Sequence, residues 1–96
     1  MNEKLVDDIL NEYENRVIYF NCKKTEDLAA LEERKTEISF MFQVLSSMAY
    51  NNSTNEQQTT RIRKIWRYLR EEQQRMKIVV ARAANEKLHE DLGLTK

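Results

Sequence analysis

The sequence predicts an all-α protein, a short N-terminal helix followed by a long antiparallel helical hairpin. Its 96 residues include one Gly and no Pro, so the tight turns of a many-stranded sheet lack the residues that they require. Apolar side chains recur at spacings of three and four along three long stretches, which is the period of an amphipathic helix. A chain of this length has room for one domain, residues 1–96.

The first predicted helix covers about residues 2–20. Steps of three and four place one set of apolar side chains on a single face: Leu5, Val6, Ile9, Leu10, Tyr13, Val17 and Phe20. Residues 21–24 interrupt this pattern. Thr25, which two acids follow, is then a suitable N-cap for a second helix.

The second predicted helix covers about residues 25–50 and carries a heptad-like seam. The seam consists of Leu28, Leu31, Lys35, Ile38, Phe42, Leu45 and Ala49. A cation in an apolar seam has to pair with an acid, extend to water or contact a ligand. In a hairpin that turns near Ser53, residue 35 lies opposite residue 71, so a cross-hairpin ion pair is the simplest outcome. The candidate neighbours of Lys35 are Glu71, Glu72 and Gln73.

The third predicted helix covers about residues 56–92, after a turn at residues 51–55. A helix of this length spans roughly 50 Å, whereas a compact globule of this size has a radius of gyration of about 12–13 Å. The hairpin therefore overhangs its own core and leaves surplus apolar side chains, which favour a homo-oligomer. The alternative is a monomeric three-helix bundle in which the first helix covers the surplus. The side chains in question are Phe40, Met41, Met48, Trp66, Tyr68, Ile78 and Val79.

The net charge is zero, but the charges are unevenly distributed. Residues 1–60 hold six Lys or Arg and eleven Asp or Glu, while residues 61–82 hold eight and two. A neutral total argues against a chain that coats long nucleic acid or an acidic membrane. Arg63, Arg67 and Arg70 follow each other at i, i+4 and i+7, which places three guanidinium groups on one stripe that can hold phosphates. The simpler interpretation is a solvated face that pairs with the acidic first and second helices.

Catalysis finds no support in the sequence. There is no Gly-rich phosphate loop and no nucleophile motif with a nearby base. Cys22 and His89 are the only residues of their types, which excludes an internal disulfide and disfavours a zinc site. Acids occupy residues 3, 7 and 8, where a signal peptide has its apolar core. We therefore expect a cytoplasmic protein, without metal or cofactor, that is not an enzyme.

The pair Tyr19 and Phe20 precedes Lys35 by about one segment. Aromatic rings stack on bases and cations hold phosphates, so the three residues are candidates for a nucleotide site. For aromatic residues at the end of a helix, packing is the simpler interpretation.

These residues are similar to a family of small all-helical phage proteins, the sponges that counter cyclic-oligonucleotide-based antiphage signalling (CBASS). In that family a stacking Tyr precedes a phosphate-binding Lys by fifteen positions, as Phe20 precedes Lys35 here. Residues 25–31, between them, resemble the Thr-acid opening of the family's second helix. Residues 73–84 resemble a Gln-Gln, apolar, Arg-Ala stretch of its last helix. The sequence departs from the family at Phe20, where Tyr is usual, and at Arg75, where Gly is usual.

The resemblance implies a hexamer in the cytoplasm of the bacterial host that does no chemistry. Such a protein sequesters cyclic dinucleotides, for example cyclic GMP-AMP, between its protomers. Some members also bind cyclic trinucleotides in separate pockets lined by arginines of the last helix. The implied dinucleotide site is Tyr19, Phe20, Asn21 and Lys35, and the possible trinucleotide pocket is Arg63, Arg67 and Arg70.

Two other functions remain open from the residues themselves. The chain can be a small helical adaptor or inhibitor whose hairpin binds a host or phage protein. A weaker hypothesis is an RNA- or DNA-binding module that uses the arginine stripe.

Overall fold

A computed structural model describes residues 3–51 and 54–93 of the chain. They form three helices, α1 (Glu3–Cys22), α2 (Leu28–Tyr50) and α3 (Glu56–Asp91), and these ranges contain no strand. The all-α prediction is confirmed, and the described helix bounds agree with the predicted ones to within three residues. Residue 2, where the sequence predicts the first helix to begin, and Ser53, the predicted centre of the turn, lie outside the described residues.

The predicted N-cap of α2 is wrong by two positions. Asp27 occupies the cap with extended backbone, and its side chain makes no capping hydrogen bond. The hydroxyl of Thr25 instead accepts a hydrogen bond from the backbone N–H of Asp27, at 3.1 Å. The start of α3 has a full capping box, in which Asn55 Oδ1 accepts from Gln58 N and Gln58 Oε1 accepts from Asn55 N. This box satisfies two backbone donors at the end of the turn.

Helix α3 is the central element, since both other helices pack against it. Helix α1 lies along the first half of α3 and runs in the same direction. Near the start of both helices, Gln58 donates hydrogen bonds to the backbone oxygen of Glu3 and to Asp7. Near the end of α1, Lys24 reaches Glu72. Helix α2 returns antiparallel to α3 and completes the hairpin.

The core runs along the line where the three helices meet. Residues of α1 on the predicted face are buried, and so are apolar residues at helical spacing in α2 and α3. The buried apolar side chains are Val6, Leu10, Tyr13, Phe20, Leu31, Ile38, Met41, Leu45, Met48, Ile62, Ile65, Leu69, Met76 and Val79.

The buried face of α2 is rotated relative to the predicted seam. Its centre is as predicted, at Leu31, Ile38 and Leu45, but the remaining buried positions are Arg34, Met41 and Met48. Lys35 and Ala49 are exposed instead. The physical reason is the position of α1, whose Arg16 pairs with Glu37 and whose Phe20 ring lies 4.7 Å from the Arg34 guanidinium. Helix α1 thus covers the Arg34 side of α2 and leaves the Lys35 side open.

The molecule is elongated, as the length of the hairpin predicts. Its radius of gyration is 17.1 Å and its extents are 58 × 24 × 18 Å. Much of the predicted surplus apolar surface is covered, because Met41, Met48 and Val79 are buried, whereas Phe40 and Ile78 are 62% and 58% exposed. Within the described residues, no helix contains an apolar stretch long enough to cross a membrane.

Candidate functional site

The three predicted phosphate-binding arginines lie in one open groove along α3. Arg63, Arg67 and Arg70 are all exposed, and their helical spacing places them on the same side of the helix. The groove has a volume of about 650 Å³. We call it the arginine groove, and its lining residues are Ile62, Arg63, Trp66, Arg67, Arg70, Glu71 and Gln74.

These arginines differ from the other arginines of α3 in having no acidic partner among the described residues. Arg61 forms ion pairs with Asp7 and Glu14 of α1. Hydrogen bonding to Arg61 outweighs partial burial and lowers the pKa of Glu14. Arg75 pairs with Glu72, and the Arg82 guanidinium lies 3.9 Å from Glu26. Pairing with the acidic first part of the chain, the simpler interpretation of the basic stretch, therefore accounts for Arg61 and Arg82, and Arg75 pairs within α3. The three arginines in the groove remain available to an anion.

An aromatic ring lies among the three arginines. Trp66 is three positions after Arg63 and four before Arg70, so it shares their side of α3. Its ring is half-buried and rests against Phe42 of α2, with centroids 4.6 Å apart and planes at 57°. Phe42 thus holds the indole in place while one part of it lines the groove. A fixed aromatic ring beside guanidinium groups can stack on a base while the cations contact phosphates.

The sequence-based prediction for Trp66 is surplus apolar surface, and it does not include this position beside the arginines. The spacing of residues 63, 66 and 70 in the sequence already indicates this position. A helix period places residue 66 between residues 63 and 70 on one face, so an amphipathic ring and two cations share a surface.

Lys35 lies in a second groove, between α2 and α3 at the end of the hairpin remote from the turn. We call this the hairpin groove; its volume is about 420 Å³. Lys35 and Lys77 are both exposed, one on each helix. The other lining residues are largely apolar or small: Leu28, Leu31, Glu32, Ser39, Gln73, Met76, Val80 and Ala81. The groove therefore combines an apolar floor with two amines at its edge.

The other predicted dinucleotide contacts do not line the hairpin groove. Tyr19 is 42% exposed and its ring lies 4.6 Å from the Arg16 guanidinium. Phe20 is 1% exposed, so of this pair only Tyr19 presents its ring to solvent. Asn21 is exposed. Within one protomer, these three residues therefore do not share a groove with Lys35.

Among the described residues, Lys35 forms no ion pair with Glu71 or Glu72, so the predicted cross-hairpin ion pair is wrong, while Gln73, the third candidate neighbour, lines the hairpin groove with Lys35. Other cations occupy the carboxylate of Glu72. Glu72 is 1% exposed, and Arg34 donates to its Oε2 at 2.7 Å. Arg75 donates to both carboxylate oxygens, at 2.8 and 2.9 Å, and Lys24 Nζ lies 3.2 Å from Oε1. Burial would raise the pKa of Glu72, but hydrogen bonds from Arg75, Arg34 and Lys24 outweigh it and hold the pKa at about 2. We call these four residues the Glu72 cluster.

The Glu72 cluster also holds the connection between α1 and α2. Arg34 Nη2 donates to the backbone oxygen of Lys23 at 2.8 Å, and Arg75 Nη1 donates to that of Thr25 at 3.2 Å. The cluster thus fastens the segment between the two helices to the middle of α3, which is a structural role.

The described parts of the chain define an all-α protein whose open grooves carry cations, an aromatic ring and hydrogen-bonding groups. Residues 3–51 and 54–93 contain no group of three or more His, Cys, Asp or Glu that could hold a metal ion. No protein-family model matches the chain, and comparison with curated proteins and with solved structures finds no match. The resemblance to the phage sponges therefore rests on the sequence motifs.

Proposed function

We propose that this chain is a non-catalytic sponge that sequesters cyclic di- or trinucleotides of bacterial antiphage signalling, acting as a homo-oligomer. The observation that carries the proposal is the arginine groove, which three arginines without an acidic partner among the described residues line together with Trp66. A cyclic oligonucleotide offers phosphates to guanidinium groups and flat bases to an indole. Sequestration requires binding and no chemical step, which agrees with the residue types in the groove.

The distribution of charge supports a small ligand over a long polyanion. Residues 61–82 carry eight basic and two acidic side chains, whereas residues 1–60 carry six and eleven. A long nucleic acid that extends past the arginine groove meets this acidic part of the molecule. A compact ligand that stays within about 650 Å³ contacts three cations and one acid, Glu71, and its affinity depends less steeply on salt because it releases fewer counterions.

The dinucleotide site is proposed to form between protomers. Tyr19 and Lys35 are both exposed but do not share a groove within one protomer. A two-fold interface presents each of them twice, so two amines can face the two phosphates of a cyclic dinucleotide and two rings its two bases. Asn21 adds an exposed hydrogen-bonding side chain at the same end of α1 as Tyr19. Phe20, being buried, supports this end of α1 rather than stacking. The family resemblance implies that such interfaces assemble a hexamer.

A thermal-shift screen of cyclic di- and trinucleotides, followed by calorimetry, tests the proposal. A ligand at a concentration one hundred times its Kd stabilises the native protein by about 2.7 kcal/mol and raises its melting temperature. Trp66→Leu removes a stacking surface worth roughly 1–3 kcal/mol per base, so the affinity should fall about five- to 150-fold. Arg67→Ala should have an effect of similar size. Arg82→Ala is the matched control, since it removes the same charge from an exposed position outside the groove.

The dinucleotide site is tested separately by Lys35→Ala and Tyr19→Ala. Both side chains are exposed, so neither substitution should change the helical content measured by circular dichroism. We expect both to abolish binding of cyclic dinucleotides. Unchanged affinity in both variants would contradict the assignment of this site and leave the arginine groove to be judged by its own variants.

Three outcomes would overturn the sponge proposal. One is the absence of a thermal shift with every cyclic di- and trinucleotide. Another is an equal loss of affinity in Arg67→Ala and in the Arg82→Ala control, because the effect would then be one of total charge. The third is tighter binding of linear RNA or DNA with a steep salt dependence, which identifies a nucleic-acid-binding module instead.

A specific observation favours the adaptor hypothesis as the second candidate. Phe40 and Ile18 are 62% and 59% exposed, and neither lines the two grooves. Contiguous patches of exposed apolar side chains are typical of surfaces that bind protein, and these two residues are the candidates for such a surface. Failure of the nucleotide screen, together with a purified protein partner that binds the wild type and not Phe40→Ser, would support an adaptor.

A further inference from the structure

The last turns of α3 extend beyond the rest of the molecule. Leu28, the first residue of α2, shares the hairpin groove with Val80, and the buried residues of α3 end at Val79. Residues 84–91 are all exposed. Packing supplies most of the stability of a helix in a protein, so a surface that covers these exposed residues would stabilise them.

One face of this extension forms a regular stripe that continues into the hairpin groove. The stripe consists of Lys77, Val80, Ala84, Leu88 and Asp91, at steps of three, four, four and three. These steps keep all five residues on one side of a helix. Val80 and Leu88 are 47% and 54% exposed, and Lys77 and Val80 also line the hairpin groove. The groove and the stripe thus form a single uncovered surface.

The stripe is complementary to the same stripe of a second copy that runs antiparallel to it. In an antiparallel pair that crosses at Ala84, residues whose numbers are equally far from 84 face each other. Val80 of one copy then meets Leu88 of the other, so apolar side chains face apolar ones. Lys77 meets Asp91, so opposite charges face each other, and symmetry forms this pair twice. At the crossing point the small Ala84 side chain allows the two helices to approach closely.

We propose that a second copy of this chain occupies the hairpin groove, through α3 extensions that cross antiparallel at Ala84. Each copy places Leu88 against the apolar floor of the other copy's groove, at Leu28 and Val80. The overlap from residue 77 to residue 91 is about 21 Å long at 1.5 Å per residue. The contact is isologous and requires no ligand, so it can be measured without nucleotide. It uses the groove that Lys35 also lines, and it is one form of the homo-oligomer on which the proposed function rests.

Sedimentation velocity over a range of protein concentrations, without nucleotide, tests the contact. The wild type should self-associate, and Ala84→Glu, which places two carboxylates together at the crossing, should lower the association state. Ala84 is exposed, so this variant should keep its helical content by circular dichroism. Ala29→Glu is the matched control, because Ala29 is also exposed and lies outside the groove. It should associate as the wild type does.

A charge exchange tests the register of the crossing. Lys77→Asp and Asp91→Lys each replace two attractions by two repulsions, and each should weaken association by about fivefold or more. The double variant restores opposite charges and should recover the wild-type association. A monomeric wild type, or association that Ala84→Glu leaves unchanged, would overturn the proposal. Weakening by both single variants without recovery in the double variant would overturn the antiparallel register.

Discussion

Replacing Glu72 by Gln removes the carboxylate that Arg34, Lys24 and Arg75 share. The substitution keeps the shape of the side chain and one acceptor oxygen, so its main effect is the loss of charge. Arg34, whose side chain is 6% exposed, then remains buried without a counter-charge. A buried charge without a partner is strongly destabilising, and we expect a large fall in the free energy of unfolding.

The size of this effect follows from the pKa of Glu72, which lies at about 2 instead of the ordinary 4.5. Each tenfold change in the acid dissociation constant corresponds to about 1.4 kcal/mol, so ionised Glu72 contributes about 3 kcal/mol at pH 7. Because the folded pKa lies below the unfolded one, the contribution is fully present above pH 4.5. It is lost as the pH falls through about 2.

Urea denaturation at fixed protein concentration measures this contribution between pH 7 and pH 2. At pH 7, the free energy of unfolding of Glu72→Gln should be about 3 kcal/mol lower than that of the wild type. This difference should shrink towards zero as the pH approaches 2. Glu71→Gln is the control, since Glu71 is exposed and its loss should change little. Equal effects of the two substitutions, or a difference that persists unchanged at pH 2, would refute the reasoning.

Two further predictions concern the core and the start of α3. Leu69→Ala, at a position that is fully buried, should lower the free energy of unfolding by about 2–5 kcal/mol; an equal loss in Ile18→Ala, which truncates a 59% exposed side chain, would contradict the described core. Asn55→Ala removes the side chain that caps Gln58 N and should lower the unfolding free energy by about 1 kcal/mol. Asn15→Ala, at an exposed position within α1, should change it by less than about 0.5 kcal/mol, and urea denaturation that ranks these two Asn variants the other way would contradict the capping box.

The period of the apolar residues predicts that α2 has a buried face but does not choose between two overlapping seams. Leu31, Ile38 and Leu45 belong to both. One seam adds Lys35 and Phe42, and the other adds Arg34 and Met41. The choice depends on which side of the hairpin α1 covers, and local spacing contains no information on that side. Tertiary packing decides it, because α1 covers the seam that contains Arg34.

The sequence nevertheless contained a signal for the buried ion pair. In a hairpin that turns near residue 53, residue 34 lies opposite residue 72, just as residue 35 lies opposite residue 71. A Glu at an otherwise apolar position of α3 requires a buried cation, and Arg34 satisfies this condition with a hydrogen bond of 2.7 Å. The predicted ion pair started instead from Lys35, the cation of the predicted seam, and so placed Glu72 opposite the wrong basic residue.

The arginine groove was only partly predictable. The stripe of Arg63, Arg67 and Arg70 follows from spacing alone, since i, i+4 and i+7 share one side of any helix. Whether these arginines or Arg61 pair with acids depends on where α1 lies, whereas Arg75 pairs with Glu72 of its own helix. The contribution of Phe42, which supports the Trp66 ring at 4.6 Å, depends on how α2 and α3 are rotated about their axes, and one-dimensional periodicity does not specify this rotation.

The polar contacts at the two ends of α1 restrict how this helix can move. At its start, Gln58 donates to the backbone oxygen of Glu3. Just past its end, Lys24 reaches the carboxylate of Glu72. A helix held at one end can pivot about that end. A helix held at both ends can neither pivot nor slide by one turn, about 5.4 Å, without breaking contacts. The register between α1 and α3 is therefore locked, and a shear of α1 along the hairpin has to begin with rupture of both attachments.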